Sequence, residues 1–268
     1  MDKFLQANLD LWNELTGITS KSPSYDMPGF MAGKSTLKSI EREELGDISG
    51  KSLLHLQCHF GMDTISFARL GAKVTGVDFS DRAITLAQSL SAELKILARF
   101  ICSNIYDLAD KLNDQFDIVH SSYGFLCWLP DVTAWAKLVA NFLKPGGFLH
   151  IVESHPFLYV FENERTTPDL RVRFSYFPST EPTRWEPEGC YADKDAQVTH
   201  PSYEWTHSLG EIIDALIGAG LRIDYLHEFP FMVEDHFPFL QKSADGWWRL
   251  PGDQDTIPLT FSLKATKP

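Results

Sequence analysis

Two stretches of this sequence hold residues whose types and spacing could do chemistry. The first is Leu53-Leu-His-Leu-Gln-Cys-His-Phe-Gly61, an apolar run that breaks into a tight turn. The second is Val74-Thr-Gly-Val-Asp78, which ends in an acid 17 residues after Gly61. A strand, a turn, a helix and a second strand closed by a carboxylate is the layout of nucleotide-binding sheets. It predicts Asp78 at the carboxyl edge of the sheet, accepting hydrogen bonds from both hydroxyls of a ribose. The turn after the first strand then lies beneath the ligand.

The turn also bears on which nucleotide is bound. Dinucleotides need three glycines so that backbone N–H groups can approach a pyrophosphate at the helix N-terminus. Gln57-Cys-His-Phe-Gly61 keeps one glycine, and the side chains of Cys58 and Phe60 are expected to obstruct that approach. A cofactor with a ribose but no phosphate suits this turn better, and S-adenosylmethionine is such a molecule. The alternative is an NAD(P)-dependent oxidoreductase on a similar sheet; the missing glycines and the lack of a Tyr-x-x-x-Lys pair weigh against it. A third reading is a protein that binds the cofactor without turnover.

The elements that must position these residues follow from periodicity and punctuation. Short apolar runs at 51–56, 72–77, 98–102, 116–120 and 148–152 read as strands, separated by amphipathic helices. Ser80 and Asp131 have N-cap character, Gly71 ends one helix, and Lys144-Pro-Gly-Gly147 stops another. Alternation of this kind predicts right-handed β-α-β units and a mostly parallel sheet with helices on both faces. Residues 1–45 read as two lid helices, with Leu5, Leu9 and Trp12 at helical spacing, and 46–153 as the cofactor-binding core. The stretch 154–207, rich in aromatics and proline, reads as an inserted cap of loops and short antiparallel strands. Residues 208–268 add a helix opening on Ser208-Leu-Gly-Glu211, which has capping-box spacing, and the last two strands. The whole is expected to be one α/β domain with a Rossmann-like seven-stranded sheet.

With these elements in place, residues 50–153 resemble the class I S-adenosylmethionine-dependent methyltransferases. The resemblance implies cofactor contacts at Gln57, Cys58, His59 and Gly61 in the first turn. It implies others at Asp78 for the ribose, at Asn104 and Ile105 for the adenine, and at Ser121 in Ser121-Ser-Tyr-Gly124 for the methionine moiety. Leu143-Lys-Pro-Gly-Gly-Phe148 resembles the family's turn before strand five. The first turn lacks the family's usual acid and first two glycines, which leaves the partner of the cofactor's amino group open. Phe79 is expected against the adenine, Tyr25 of the lid at the cofactor carboxylate, and Tyr123 and Trp128 in the acceptor pocket. Each also has a plainer role in capping, turning or packing. The product of transfer would be S-adenosylhomocysteine.

Composition narrows the acceptor. The formal charge of −12 argues against a nucleic-acid footprint, and no Asn-Pro-Pro-Tyr or Asp-Pro-Pro-Tyr run follows strand four. A small organic acceptor is the expectation, with no membrane partner, because no apolar run reaches the ~20 residues of a span. Glu153 and His155, just after strand five, are the candidate bases, with His200 and His207 as further options. His55-x-x-Cys58-His59 has a metal-like look, but strand and turn explain it and no metal site is expected. The four cysteines, Cys58, Cys102, Cys127 and Cys190, form no CxxC pair. With no leader legible, a reducing cytoplasm and free thiols are expected.

Overall fold

The computed structural model describes residues 2–252 and 256–268. Helix α1 (Lys3–Thr19) opens where the Asp2 carboxylate accepts from the N–H groups of Phe4 and Leu5. The short helices α2 (Met27–Met31) and α3 (Ser39–Leu45) follow. The core then runs β1 (Ser52–Leu56), α4 (Met62–Arg69), β2 (Lys73–Asp78), α5 (Asp81–Leu94), β3 (Ala98–Cys102), β4 (Phe116–Ser122), α6 (Val132–Phe142) and β5 (Leu143–Ser154). The cap contributes β6 (Thr183–Trp185) and β7 (Ser202–Glu204), paired antiparallel. Helix α7 (Leu209–Gly218), β8 (Arg222–Phe229), the two-residue strands β9 (Phe231–Met232), β10 (Gln241–Lys242) and β11 (Trp248–Arg249), and β12 (Thr260–Thr266) complete the chain.

The main sheet has seven strands in the order β3-β2-β1-β4-β5-β12-β8, with β12 antiparallel to both its neighbours. The expected seven-stranded α/β sheet is therefore present; residues 1–45, expected as two helices, form three α-helices, and the 154–207 stretch holds the short antiparallel pair β6–β7. The expected caps hold too: Ser80 Oγ accepts from Ala83 N and Asp131 Oδ1 from Ala134 N. Among the described residues no helix is long and apolar enough to cross a membrane.

Three details differ from expectation. Strand β5 begins at Leu143, ahead of the Pro-Gly-Gly run, because Leu143 pairs with Phe116 before the register shifts. Between the two last strands, where no further strand is expected, the chain forms the three-stranded sheet β10-β11-β9; two-residue strands are too short to show alternation. The capping box of α7 is half formed, since Ser208 Oγ accepts from Glu211 N while the Glu211 carboxylate turns to His207 Nδ1.

Both faces of the sheet are covered. Helices α6 and α7 bury Trp135, Val139, Ile212 and Leu216 against one face. On the other, α4, α5 and Phe30 of α2 enclose Phe60, Ile65, Ala87 and Phe100. Phe100 lies over two glycines: a Cβ on Gly76 would come 2.8 Å from its ring, and one on Gly61 would come 2.6 Å. Gly61 also has φ +76, so it is required both by space and by conformation.

A row of histidines crosses the middle of the sheet in register, His55 on β1 opposite His120 on β4, and His120 opposite His150 on β5. His55 Nδ1 lies 2.8 Å from Thr64 Oγ1, His120 Nδ1 lies 3.2 Å from His150 Nδ1, and His150 Nε2 meets Glu44 Oε2 at 2.9 Å. If neutral His150 donates to the carboxylate, its Nδ1 must accept from His120. His120 Nε2 is then a bare acceptor, in keeping with its lack of a partner. Burial lowers the pKa of all three rings, that of His55 to about 3.

Glu41 of α3 breaks the usual rule for buried charge. It is 1% exposed, and among the described residues neither carboxyl oxygen has a hydrogen-bond partner. Burial pushes its pKa up to about 8, and the nearby Asp63 carboxylate adds to the rise. The unpartnered Tyr123 hydroxyl beside it offsets only part of this.

Two expectations follow for stability. Gly61→Ala should cost about 2–5 kcal/mol from left-handed strain plus overpacking, read as a lower urea midpoint; an unchanged midpoint would mean that Phe100 yields freely. For Glu41, the unfolded carboxyl titrates near its ordinary 4.5 and the folded one near 8. Its contribution is therefore complete below 4.5 and is lost as pH rises through 8. Glu41→Gln should gain stability relative to the parent by about 4 kcal/mol between pH 5 and 8.5. A difference between the two that does not change with pH would refute the buried, unpaired carboxyl.

Candidate active site

The turn between β1 and α4 is built without the glycines it would ordinarily use. Gln57 and His59 adopt φ values of +55 and +51, and Gly61 adopts +76, so alternate residues are left-handed. Each non-glycine residue there costs on the order of 1 kcal/mol. The backbone is held by Cys58 N donating to Val77 O at 2.9 Å and by His59 N donating to Asp78 Oδ2 at 2.8 Å. Asp78 Oδ1 accepts from Ser80 N at 2.9 Å. One carboxylate at the end of β2 thus fastens two turns. Asp78 is 8% exposed, and burial pushes its pKa up to about 6 against the pull of its three backbone donors. Each oxygen keeps a lone pair for a further donor.

The side chains of this turn divide between site and core. Cys58 and Phe60 point into the α4–α5 core and are nearly fully buried. They do not obstruct a ligand, contrary to the sequence-based expectation, and the Cys58 side chain is a packing group. Gln57 and His59, both half-buried, are the residues that face the edge. Gln57 Nε2 donates to Phe125 O at 3.1 Å, leaving a buried Oε1 without a partner. Ser121 Oγ at the end of β4 is likewise buried and unpartnered. Asn104 Oδ1 caps the short 3-10 helix 105–110 by accepting from Tyr106 N. Ile105 beside it sends its side chain into the α6 core. Phe79, after Asp78, is partly exposed.

The turn after β4 repeats the same device. Tyr123 and Gly124 are left-handed, with φ +48 and +82. The Glu153 carboxylate accepts from the N–H groups of Gly124, Phe125 and Ser154, and more distantly from Leu126. Burial still pushes its pKa up, because those donors offset only part of the desolvation. Glu153 is thus a turn anchor, and its lone pairs are committed.

Aromatic rings from the lid and cap close over these turns. Trp12 of α1 lies edge-on to His59 at 5.2 Å and to Trp128 at 5.4 Å between centroids. Tyr25 packs on Phe60, its hydroxyl lying 3.4 Å from His59 Nδ1 and hydrogen-bonded to the hydroxyl of Tyr191 from the cap. Burial keeps His59 neutral, with its pKa lowered to about 3. The structure therefore brings Gln57, His59, Asp78, Ser121, Tyr25 and Trp128 to one edge of the sheet.

The candidate bases are placed elsewhere. His155 caps the 3-10 helix 156–160 through Nδ1, and its Nε2 faces Glu228 at 2.9 Å on the β8 side of the sheet. His200 pairs with Glu14 and His207 with Glu211 and Leu129 O, which are structural roles. No group of three metal-ligating side chains occurs among the described residues. Trp12 and Tyr191 were not singled out from sequence as site residues. Trp12 carried only a helix-face signal and Tyr191 was one cap aromatic among ten.

Comparison with known proteins agrees with this geometry. Residues 53–147 match a family described as "Methyltransferase domain". A ubiquinone biosynthesis O-methyltransferase of Pseudomonas syringae is 28% identical over 121 residues, covering 44% of this chain and 52% of that protein. The chain thus spans about half the length of that curated relative. An S-adenosylmethionine dependent methyltransferase from Mesorhizobium loti superposes with a TM-score of 0.58 at 20% identity, covering 88% of this chain and 99% of that one. A glycopeptide N-methyltransferase solved with S-adenosylmethionine superposes with a TM-score of 0.56 at 18% identity, covering 88% of each chain. Residues 53–147 thus match a methyltransferase domain, and the fold of the chain is the one that these S-adenosylmethionine-dependent methyltransferase structures share.

Proposed function

We propose that the chain transfers a methyl group from S-adenosylmethionine to a small organic acceptor by in-line displacement. The observation that carries this reading is the edge built by Asp78, Gln57 and Ser121. A buried carboxylate keeps free lone pairs there, and two buried polar atoms have no partner among the described residues. An orphaned buried acceptor costs about 1–3 kcal/mol, and a ligand that donates to it removes that cost.

In this reading Asp78 accepts from the ribose hydroxyls, and the Gln57 Oε1 atom accepts from the amino group of the methionine moiety. Gln57 would so replace the acid usual at that position. Asn104 and Phe79 flank the adenine. The bound cofactor supplies an electrophilic methyl group on a sulfonium. Trp12, Tyr25, Tyr191 and Trp128 exclude water and fix the acceptor, and holding the nucleophile about 3 Å from the methyl carbon contributes several kcal/mol through orientation. Neither Glu153 nor His155 serves as a base here, because each is engaged in holding backbone. The net charge of −12 supports a small acceptor over a nucleic acid. Four free cysteines go with a reducing cytoplasm.

The test is calorimetric titration with S-adenosylhomocysteine, with NAD as the control. Micromolar affinity for the first and none for the second is expected, and binding of neither would end the reading. Asp78→Ala should weaken S-adenosylhomocysteine by at least tenfold, since it removes the acceptor for two hydroxyls. Parental affinity in a folded Asp78→Ala protein would place the ribose elsewhere.

A further inference from the structure

We propose that the His59 ring is the latch that holds the lid closed over the cofactor edge, so that it gates entry and exit of the cofactor. The inference rests on the methyltransferase reading above and adds a positioning residue to that site.

The starting observation is the conformation of the residue. At φ +51 a glycine stands without strain, whereas an imidazole there raises the energy of the turn. The side chain must do something in return, and its contacts show what. His59 Nδ1 lies 3.4 Å from the Tyr25 hydroxyl, and Nε2 lies 3.4 Å from Thr19 Oγ1. The ring meets Trp12 edge-on at 5.2 Å and Phe60 at 4.3 Å between centroids. Trp12, Thr19 and Tyr25 all belong to α1 or to the short 3-10 turn that follows it.

The hydrogen bonds around the ring have one consistent direction. Thr19 Oγ1 donates to Leu15 O at 2.9 Å, so towards His59 it accepts, and Nε2 carries the proton. The buried ring is neutral, which leaves Nδ1 as an acceptor for the Tyr25 hydroxyl. The Tyr25 oxygen in turn accepts from the Tyr191 hydroxyl at 2.5 Å. One chain thus runs from the cap through the lid to the β1 turn and back into α1. Both ring nitrogens are committed to it, and neither is left for a ligand. The two bonds to His59 are the longest in the chain, which makes them the first to break.

The lid also lies across Asp78. The carboxylate holds His59 N and Ser80 N, and α1 is fastened at both places, to the His59 ring and, through Asn13 Oδ1, to Ser80 Oγ at 2.6 Å. Asp78 is left 8% exposed. A ribose therefore reaches its free lone pairs only after α1 moves away. Ser22 Oγ donates to Ala192 O at 2.6 Å, and Asn8 pairs with the backbone of Tyr203, so lid and cap are tied to each other. A bond that the protein makes with itself, present before and after binding, leaves affinity alone and slows both directions.

Surface plasmon resonance of the full chain with S-adenosylhomocysteine reads the gate. His59→Gly keeps the turn, because glycine suits φ +51, and removes the latch. Association and dissociation should both quicken by about tenfold, the factor to which one or two hydrogen bonds convert. Loss of a direct cofactor contact would instead quicken dissociation alone. That result overturns the proposal, as do unchanged rates or faster association alone. A second readout needs no ligand. Hydrogen exchange of the backbone amides in residues 3–25 should be several times faster in His59→Gly than in the parent, with β1 and β4 unchanged. Equal exchange in the two proteins overturns the latch. Should His59→Gly not fold, Tyr25→Phe takes the central hydroxyl out of the chain and is read by the same two measurements. A parent protein that binds no S-adenosylhomocysteine, with exchange still quickened in the variant, removes the methyltransferase reading while supporting the latch.

Discussion

The site depends first on the carboxylate of Asp78. Its two oxygens accept from His59 N in the β1 turn and Ser80 N at the head of α5, so two loops from different strands share one anchor. The anchor allows left-handed residues to stand where glycines would be the easy choice. His59 bears a side chain at φ +51, and its N–H bond to a charged acceptor offsets a cost on the order of 1 kcal/mol. The same carboxylate lies against the α4–α5 core, where Phe100 fills the space left by Gly61 and Gly76. Turn geometry, helix start and core packing are therefore coupled at one residue.

Glu153 does for the β4 turn what Asp78 does for the β1 turn, holding Tyr123 and Gly124 in left-handed backbone. Beneath both turns the sheet carries polar groups that stay neutral. The row His55–His120–His150 is buried and neutral, and at its end His150 Nε2 donates to the Glu44 carboxylate. There burial works to raise the Glu44 pKa, but hydrogen bonds from His150, His227 and Ser262 outweigh it and hold it down to about 2. A charged imidazole in the centre of the sheet would lack a counter-ion, so the row is stable only while neutral.

The parts of the fold legible in the sequence are those with a period or a stop signal. Ser80, Asp131 and Ser208 announce their helices because N-capping is local, and Asp78 could be read because a strand-ending acid has a fixed place in such sheets. The direction of a side chain in a turn was not legible. Cys58 and Phe60 look like obstructions in the string, yet the left-handed residues on either side turn them into the core. His155 and Glu153 look like bases because they follow strand five, but their partners, Glu228 and the N–H groups of 124–126, come from distant segments. The histidine row was hidden for the same reason: register across three strands makes it, and no spacing along the chain reveals it.

Helix α1 ties the head of α5 to the cap. On one side Asn13 binds the head of α5, its Oδ1 accepting from Ser80 Oγ at 2.6 Å and its Nδ2 donating to Asp81 at 2.8 Å. On the other, the fully buried Asn8 side chain pairs with the backbone of Tyr203 in both directions, at 2.7 and 2.8 Å, as a strand would. Glu14 adds bonds to Thr199 and His200 of the cap. Trp12 lies between these fastenings and touches both His59 and Trp128. Substitutions on α1 therefore reach both the β1 turn and the cap. Strands and their short turns fix the edge at Asp78, while the irregular cap and C-terminal loops are the segments most free to vary.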